Sequence, residues 1–372
     1  MFSNRDAVPF RGNYQRTGFF DVEIDVSRLE ISWEFKSRRH LYAPPVVVSE
    51  QLYIGSNVKT VYAIDTASGH PRWEFKTNHS IQMAPLLVDD LLLIGARDGT
   101  LHALNRISGN EVWRFDAGKP FSKAAALAGD VLIFGSDDWW NPSQNGALIG
   151  FNYKNQTLRW RIDIPVGIFA APAISSDGEI GFCGGRDQTL YAFDPKTGKL
   201  NWRYKVEGEI LSTACVTSTG IYVCCDDTYV YGFNHAGQLK WRFKTGSPLM
   251  ESTPAAADGH VFVGTSDGCL YRFDEETGEA VAIIKDMEFE ERPTYYSPSL
   301  NHHYLFCGNS DGKLVVVGRD SLEIVRSIET VNSGPWTPIH LAENSLYFAG
   351  FGRTLYAVGS PPNSKRVGPE GL

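Results

Sequence analysis

Tryptophan recurs in this chain with a period that few folds can accommodate. Trp33, Trp73, Trp113, Trp160, Trp202 and Trp241 are separated by 40, 40, 47, 42 and 39 residues. The text around them repeats as well: "VYAIDTASGHPRWEFKT", "LHALNRISGNEVWRFDA", "LIGFNYKNQTLRWRID", "LYAFDPKTGKLNWRYK" and "VYGFNHAGQLKWRFK". Two later copies, "LYRFDEETGEAVAIIK" and "LVVVGRDSLEIVRSIE", lack the Trp, and a last one stops at "LYAVGS". A period of this length points to one supersecondary unit stacked many times.

Each copy has the same upstream half. A short strand with small residues or Pro ("APPVVV", "APLLV", "TPAAA") precedes an apolar one ("QLYIGS", "LLLIGA", "HVFVGT"). A tight turn follows, and Asp98-Gly99 between two apolar runs is a strong hairpin signal. A third strand ends in a Gly-bearing turn, and the Trp strand closes the unit. Four short antiparallel strands in about 40 residues, repeated, make a β-propeller. First-strand segments begin near Tyr42, Met83, Lys123, Ala170, Ser212, Ser252, Tyr296 and Trp336, which predicts eight blades. The eighth unit lacks its fourth strand, while "ISWEFKS" at 31–37 is a fourth strand without a unit. The expected fold is therefore all-β: an eight-bladed propeller of four-stranded antiparallel blades, closed by the N-terminal strand. The expected organisation is a lead-in at 1–28, one propeller at 29–360 and a tail at 361–372. The six tryptophans read as packing between blades.

The matching repeats, with the lead-in "FRGNYQRTG" at 10–18, resemble the pyrroloquinoline-quinone-type propeller repeat family over residues 10–358. The resemblance implies the fold firmly. It leaves two functional branches, quinoprotein dehydrogenases and BamB-like cofactor-free scaffolds, and the second resembles this chain more. The dehydrogenase branch implies an oxygen-ligand calcium site, an Asp base and a vicinal disulfide over the quinone. A vicinal pair is present, Cys224-Cys225, but alignment of the repeats places it on Gly184-Gly185, a slot that wants small residues. No calcium ligands of the family can be matched. The expectation is no cofactor, with quinone and calcium as the alternative. Cys183, Cys215, Cys269 and Cys307 are scattered in strands without a CxxC, which points away from zinc and towards a reducing compartment.

A net charge of −8 without a dense Lys/Arg cluster excludes a duplex-binding surface. No apolar run is long enough for a membrane span. The N-terminus has no apolar signal core, so the expected location is the cytoplasm, with the periplasm or envelope as the alternative if a signal precedes this sequence. The chain is expected to be monomeric.

The segments entering the innermost strands and the turns after the second strands share one face, the top face. Its expected mouth residues are Tyr42, Met83, Lys123, Phe169, Ser212, Glu251, Tyr295, Tyr296 and Trp336, with His79 just outside. A seven-residue insertion at 135–147, "GSDDWWNPSQNGA", adds Trp139 and Trp140 to the same face. Aromatic walls with a few charges are the usual make-up of a binding cleft. The leading expectation is a non-catalytic scaffold that binds a protein partner or small ligand through its top face and central funnel. The alternatives are an enzyme with a central-funnel active site, quinone-dependent or a lyase or hydrolase, and a BamB-like outer-membrane assembly scaffold.

Overall fold

A computed structural model describes residues 9–138, 146–249, 252–266, 268–285, 297–308, 312–330, 334–335, 337–350 and 353–359. Among these residues the strands form eight four-stranded antiparallel sheets. Blade 1 runs outwards through Val46–Val48, Gln51–Gly55, Thr60–Asp65 and Pro71–Lys76. The innermost strands of blades 2 to 8 are Leu86–Val88, Ala126–Ala128, Ala173–Ile174, Cys215–Val216, Ala255–Ala257, Ser299–Leu300 and His340–Ala342. Blade 8 takes its outer strand from the N-terminus, as the orphan Trp strand predicts. Glu30–Lys36 pairs antiparallel with Thr354–Gly359, from Glu30↔Gly359 to Lys36↔Thr354. It carries an irregularity between Ile31 and Trp33, and the blade 1 pair has one between Ala63 and Ile64. The N-terminal strand thus copies the geometry of a covalently continuous fourth strand.

Where a blade carries the repeat tryptophan, the indole reaches the next blade. The Nε1–H of Trp33, Trp160, Trp202 and Trp241 donates to the carbonyl of Thr66, Pro195, His235 and Glu275, at 2.8, 3.0, 2.9 and 3.0 Å. Each acceptor lies in the turn between the third and fourth strands of the following blade. The indole also lies flat on that turn. A Cβ on Gly198 (φ 72°) would sit 2.6 Å from the ring of Trp160, so this glycine serves both the left-handed turn and the close approach. Trp160 and Trp241 are 8% exposed, whereas Trp33, Trp73, Trp113 and Trp202 are only half-buried. The cross-strand partner explains the split. Trp160 and Trp241 face Gly150 and Gly232, while the other four face Ala357, Ala63, Ala103 and Ala192.

The lead-in is part of the ring, running through its centre. The carbonyls of Tyr14, Gln15, Thr17 and Gly18 accept from the N–H groups of Ile174, Val216, Ala256 and Leu300 at 2.7–2.9 Å. It thereby serves the innermost strands of blades 4, 5, 6 and 7 in succession. Arg11 and Arg16 are 2% and 0% exposed. Arg11 donates to the carbonyls of Pro254 and Pro298, both at 2.6 Å. Arg16 donates to Ala125, Pro172 and Phe10 at 2.6, 3.1 and 2.6 Å. Ala125, Pro172, Pro254 and Pro298 all stand just before an innermost strand, where the repeat turns a carbonyl into the channel. Phe10 packs on Ala84, Ala124 and Ala171 beside them. The channel is filled at this level.

Adding a methyl group at position 150 or 232 places a Cβ at 2.1 or 2.4 Å from indole atoms. Gly150→Ala and Gly232→Ala are each expected to destabilise the protein by about 1–3 kcal/mol. Chemical denaturation reads this, and an unchanged midpoint for both contradicts the packing described.

Candidate functional site

The top face carries an arc of charges set by one slot of the repeat. The second residue beyond the second strand's terminal Gly or Cys is Arg97 in blade 2, Asp137 in blade 3, Arg186 in blade 4 and Asp226 in blade 5. Arg97 donates to Gln82 Oε1 at 3.1 Å and to Asp138 at 3.3 Å. Arg186 bridges Asp137 at 3.1 Å and Glu209 at 3.0 Å. The side chains of Arg186 and Asp137 are 9% and 1% exposed, so this pair is screened little by solvent. Burial raises the Asp137 carboxyl above its ordinary range, and Arg186 opposes the rise. Asp226 ends the arc. Burial, with Glu209 and Asp227 beside it, raises its carboxyl too, and its Oδ1 has no hydrogen-bond partner.

Aromatic pairs flank the arc. His40 and Tyr42 stack with centroids 5.5 Å apart and planes 8° from parallel. Lys123 Nζ lies 5.5 Å from the centre of the Phe169 ring, within reach of a cation–π contact. Tyr42, Lys123 and Phe169 are half-buried, and His79 is exposed with its Nδ1 3.2 Å from Ser80 Oγ. Met83 is fully buried with Phe121 and Phe134 in the core between blades 2 and 3. Ser212 is fully buried as well, bonded to the backbone of Cys224. At the small radius of the mouth, neighbouring blades close over such side chains. Trp139, Trp140, Glu251, Tyr295, Tyr296 and Trp336 lie outside the described residues. The charged arc was missed by sequence reasoning, although reading down its slot would have found it.

The cysteine pair is a packing feature. Ile221–Cys224 ends at the slot that Gly55, Gly95, Gly135 and Gly184 fill elsewhere. A Cβ on Gly184 would sit 2.2 Å from Ile210, because the next segment presses an apolar side chain onto it. In blade 5 that neighbour is Leu249, in the same cluster as Cys224. Cys224 and Cys225 are both fully buried free thiols. Burial pushes Cys225 up to about 12 and Cys224 well above the ordinary thiol value. Neither forms a thiolate near neutrality. Among the described residues no group of three or more His, Cys, Asp or Glu side chains could hold a metal ion. These residues therefore do not fit a calcium–quinone pair lidded by a disulfide.

The family profile described as outer membrane protein assembly factor BamB matches residues 25–167, 97–237 and 186–325. The chain belongs to this PQQ-like repeat family. Over 158 residues the chain is 30% identical to Protein Rv3035 of Mycobacterium tuberculosis, spanning 38% of this chain and 38% of that protein. BamB from Moraxella catarrhalis superposes with a TM-score of 0.74 at 18% identity, over 89% of this chain and 99% of that one. Quinohemoprotein alcohol dehydrogenase from Comamonas testosteroni gives 0.79 at 14% identity, over 100% and 82%. BamB and a quinohemoprotein alcohol dehydrogenase thus superpose on the same ring, and the structural likeness shows the fold alone.

Removing the Arg186 cation leaves Asp137 buried without its partner. Arg186→Met is expected to cost about 3–5 kcal/mol near neutral pH. Without Arg186 the folded-state pKa of Asp137 rises further above its unfolded value. An acid shifted upwards loses stability as pH rises through that interval. The deficit should be smallest at acidic pH, where Asp137 is protonated, and complete near pH 7. Denaturation of both proteins across the carboxylate range tests this; a deficit independent of pH contradicts it.

Proposed function

We propose that the protein is a non-catalytic scaffold that holds a partner through its top face and the mouth of its central funnel. The observation that supports this most is the charged arc. Its arginines are locked by carboxylates on neighbouring blades, so the surface is rigid before a partner arrives. Rigid presentation lowers the ordering cost of association. The arc offers both signs of charge and ends in an under-bonded carboxylate at Asp226, while His40–Tyr42 and Lys123–Phe169 supply flat apolar area. Aromatic rings next to fixed charges are the composition of binding hot spots. The same arginines are poor catalysts, because their protons and charges are already committed to Asp137, Asp138 and Glu209.

A second reading, an outer-membrane assembly scaffold, is favoured by the description of the matching family. It uses the same face and places the protein in the envelope, against the cytoplasmic expectation.

The test is quantitative co-purification from native lysate. Wild type is compared with Lys123→Ala on the top face, with Trp139→Ala/Trp140→Ala in the insertion expected there from the sequence, and with Leu158→Ser on an outer strand. The top-face variants are expected to lose a partner that Leu158→Ser retains, by a factor of about 30 for a hot-spot residue. Equal recovery by all variants sinks the top-face reading.

A further inference from the structure

The described residues of the lead-in serve the inner edge of four blades of the eight. The N–H groups of Ile174, Val216, Ala256 and Leu300 each donate to a lead-in carbonyl. The corresponding positions in blades 8, 1, 2 and 3 are Leu341, Val47, Leu87 and Leu127, as their pairing with Leu346, Leu52, Leu92 and Leu132 shows. Among the described residues none of these four N–H groups has a hydrogen-bond partner. Leu341 and Val47 are nonetheless 0% and 5% exposed. A buried, unpaired backbone donor is costly, and most native structures avoid it.

Two of the vacant donors stand at a cavity. It occupies about 700 Å³ on the bottom face, between blade 8 and blade 1, and both Leu341 and Val47 line it. That volume lies within the range of ligand pockets. Val48, Trp33, Tyr347 and Ala357 give it apolar walls. His340 also lines it, 3% exposed and with its Nε2 unpartnered. Burial pushes the His340 imidazole down to about 3, so it is neutral near pH 7. The rim carries Glu50, which Arg72 reaches at 3.4 Å, and Glu343; among the described residues no Lys or Arg lines the cavity itself.

We infer that this cavity is a second binding site, for an extended peptide of a partner protein with aliphatic side chains and neutral or basic charge. The lead-in shows the mode within the same molecule: an extended strand whose carbonyls accept from consecutive innermost strands. A peptide over blades 8 and 1 continues that circle, its carbonyls meeting the Leu341 and Val47 N–H groups. An aliphatic side chain enters between Val48 and Tyr347. An acidic peptide meets the exposed Glu343, which has no ion pair among the described residues. The site is on the opposite face from the proposed scaffold surface and stands independently of it.

Two capped peptides test this by calorimetry on the full chain: Lys-Val-Pro-Val-Lys and Glu-Val-Pro-Val-Glu, acetylated and amidated. The basic peptide is expected to bind with a Kd below about 1 mM and the acidic one at least about tenfold more weakly. Ala67→Trp at the exposed rim and Ala342→Trp at the half-buried wall each fill the cavity, and each should weaken the basic peptide at least about tenfold. Leu158→Ser should leave it unchanged. On binding, the amide signals of Leu341 and Val47 should shift. No binding of the basic peptide, equal binding of both peptides, or binding indifferent to both tryptophan variants overturns the proposal.

Discussion

Everything in this ring depends on what is done with its inner edge. Eight short strands converge on one axis, and each presents unpaired backbone groups to the channel. Outer edges can be left to water, but the inner ones are too crowded for that. The protein answers with its own N-terminus. Arg11 and Arg16 bond the carbonyls of Ala125, Pro172, Pro254 and Pro298, and the strand that follows takes four N–H groups. These are buried cations neutralised by carbonyl dipoles. Burial lowers both guanidiniums to about 10, which leaves them charged near neutrality. The same chain then becomes the outer strand of blade 8, so one segment fills the axis and closes the circumference. The top and bottom faces become separate surfaces.

Between blades, the Trp indole sets the spacing. It sits on the next turn, where Gly69, Gly109, Gly198, Gly237 and Gly278 make room for Trp33, Trp73, Trp160, Trp202 and Trp241. The same small-residue logic accounts for Cys224-Cys225. A strand end pressed by the neighbouring segment admits Gly or a small side chain, and sealed thiols of raised pKa follow from that location. The dehydrogenase-like appearance of the pair comes from two adjacent repeat slots.

Blade number, strand order, ring closure and the role of the tryptophans were all readable from the text, because each is periodic and a period survives without coordinates. The lead-in was not, since it occurs once. Its arginines are selected by carbonyls from four blades at a time, and no window of sequence contains those partners. "FRGNYQRTG" therefore looks like a tether and is an axle. The charged arc stood in between. Arg97, Asp137, Arg186 and Asp226 occupy one register position, but their meaning comes from alternation across blades. Met83 was misplaced for a simpler reason: the segment it belongs to reaches the mouth, while its side chain is drawn between Phe121 and Phe134. Trp139 and Trp140 remain candidates on sequence grounds.

The central claim is that the described lead-in residues serve half of the inner circle and leave the N–H groups of the other half without a partner among the described residues. Residue-resolved native-state amide exchange reads it directly in the unmodified protein. The N–H groups of Ile174, Val216, Ala256 and Leu300 should exchange slowly, near the global unfolding limit. Those of Leu341, Val47, Leu87 and Leu127, at the same strand position, should exchange at least about tenfold faster. Equal protection at all eight positions would contradict the account.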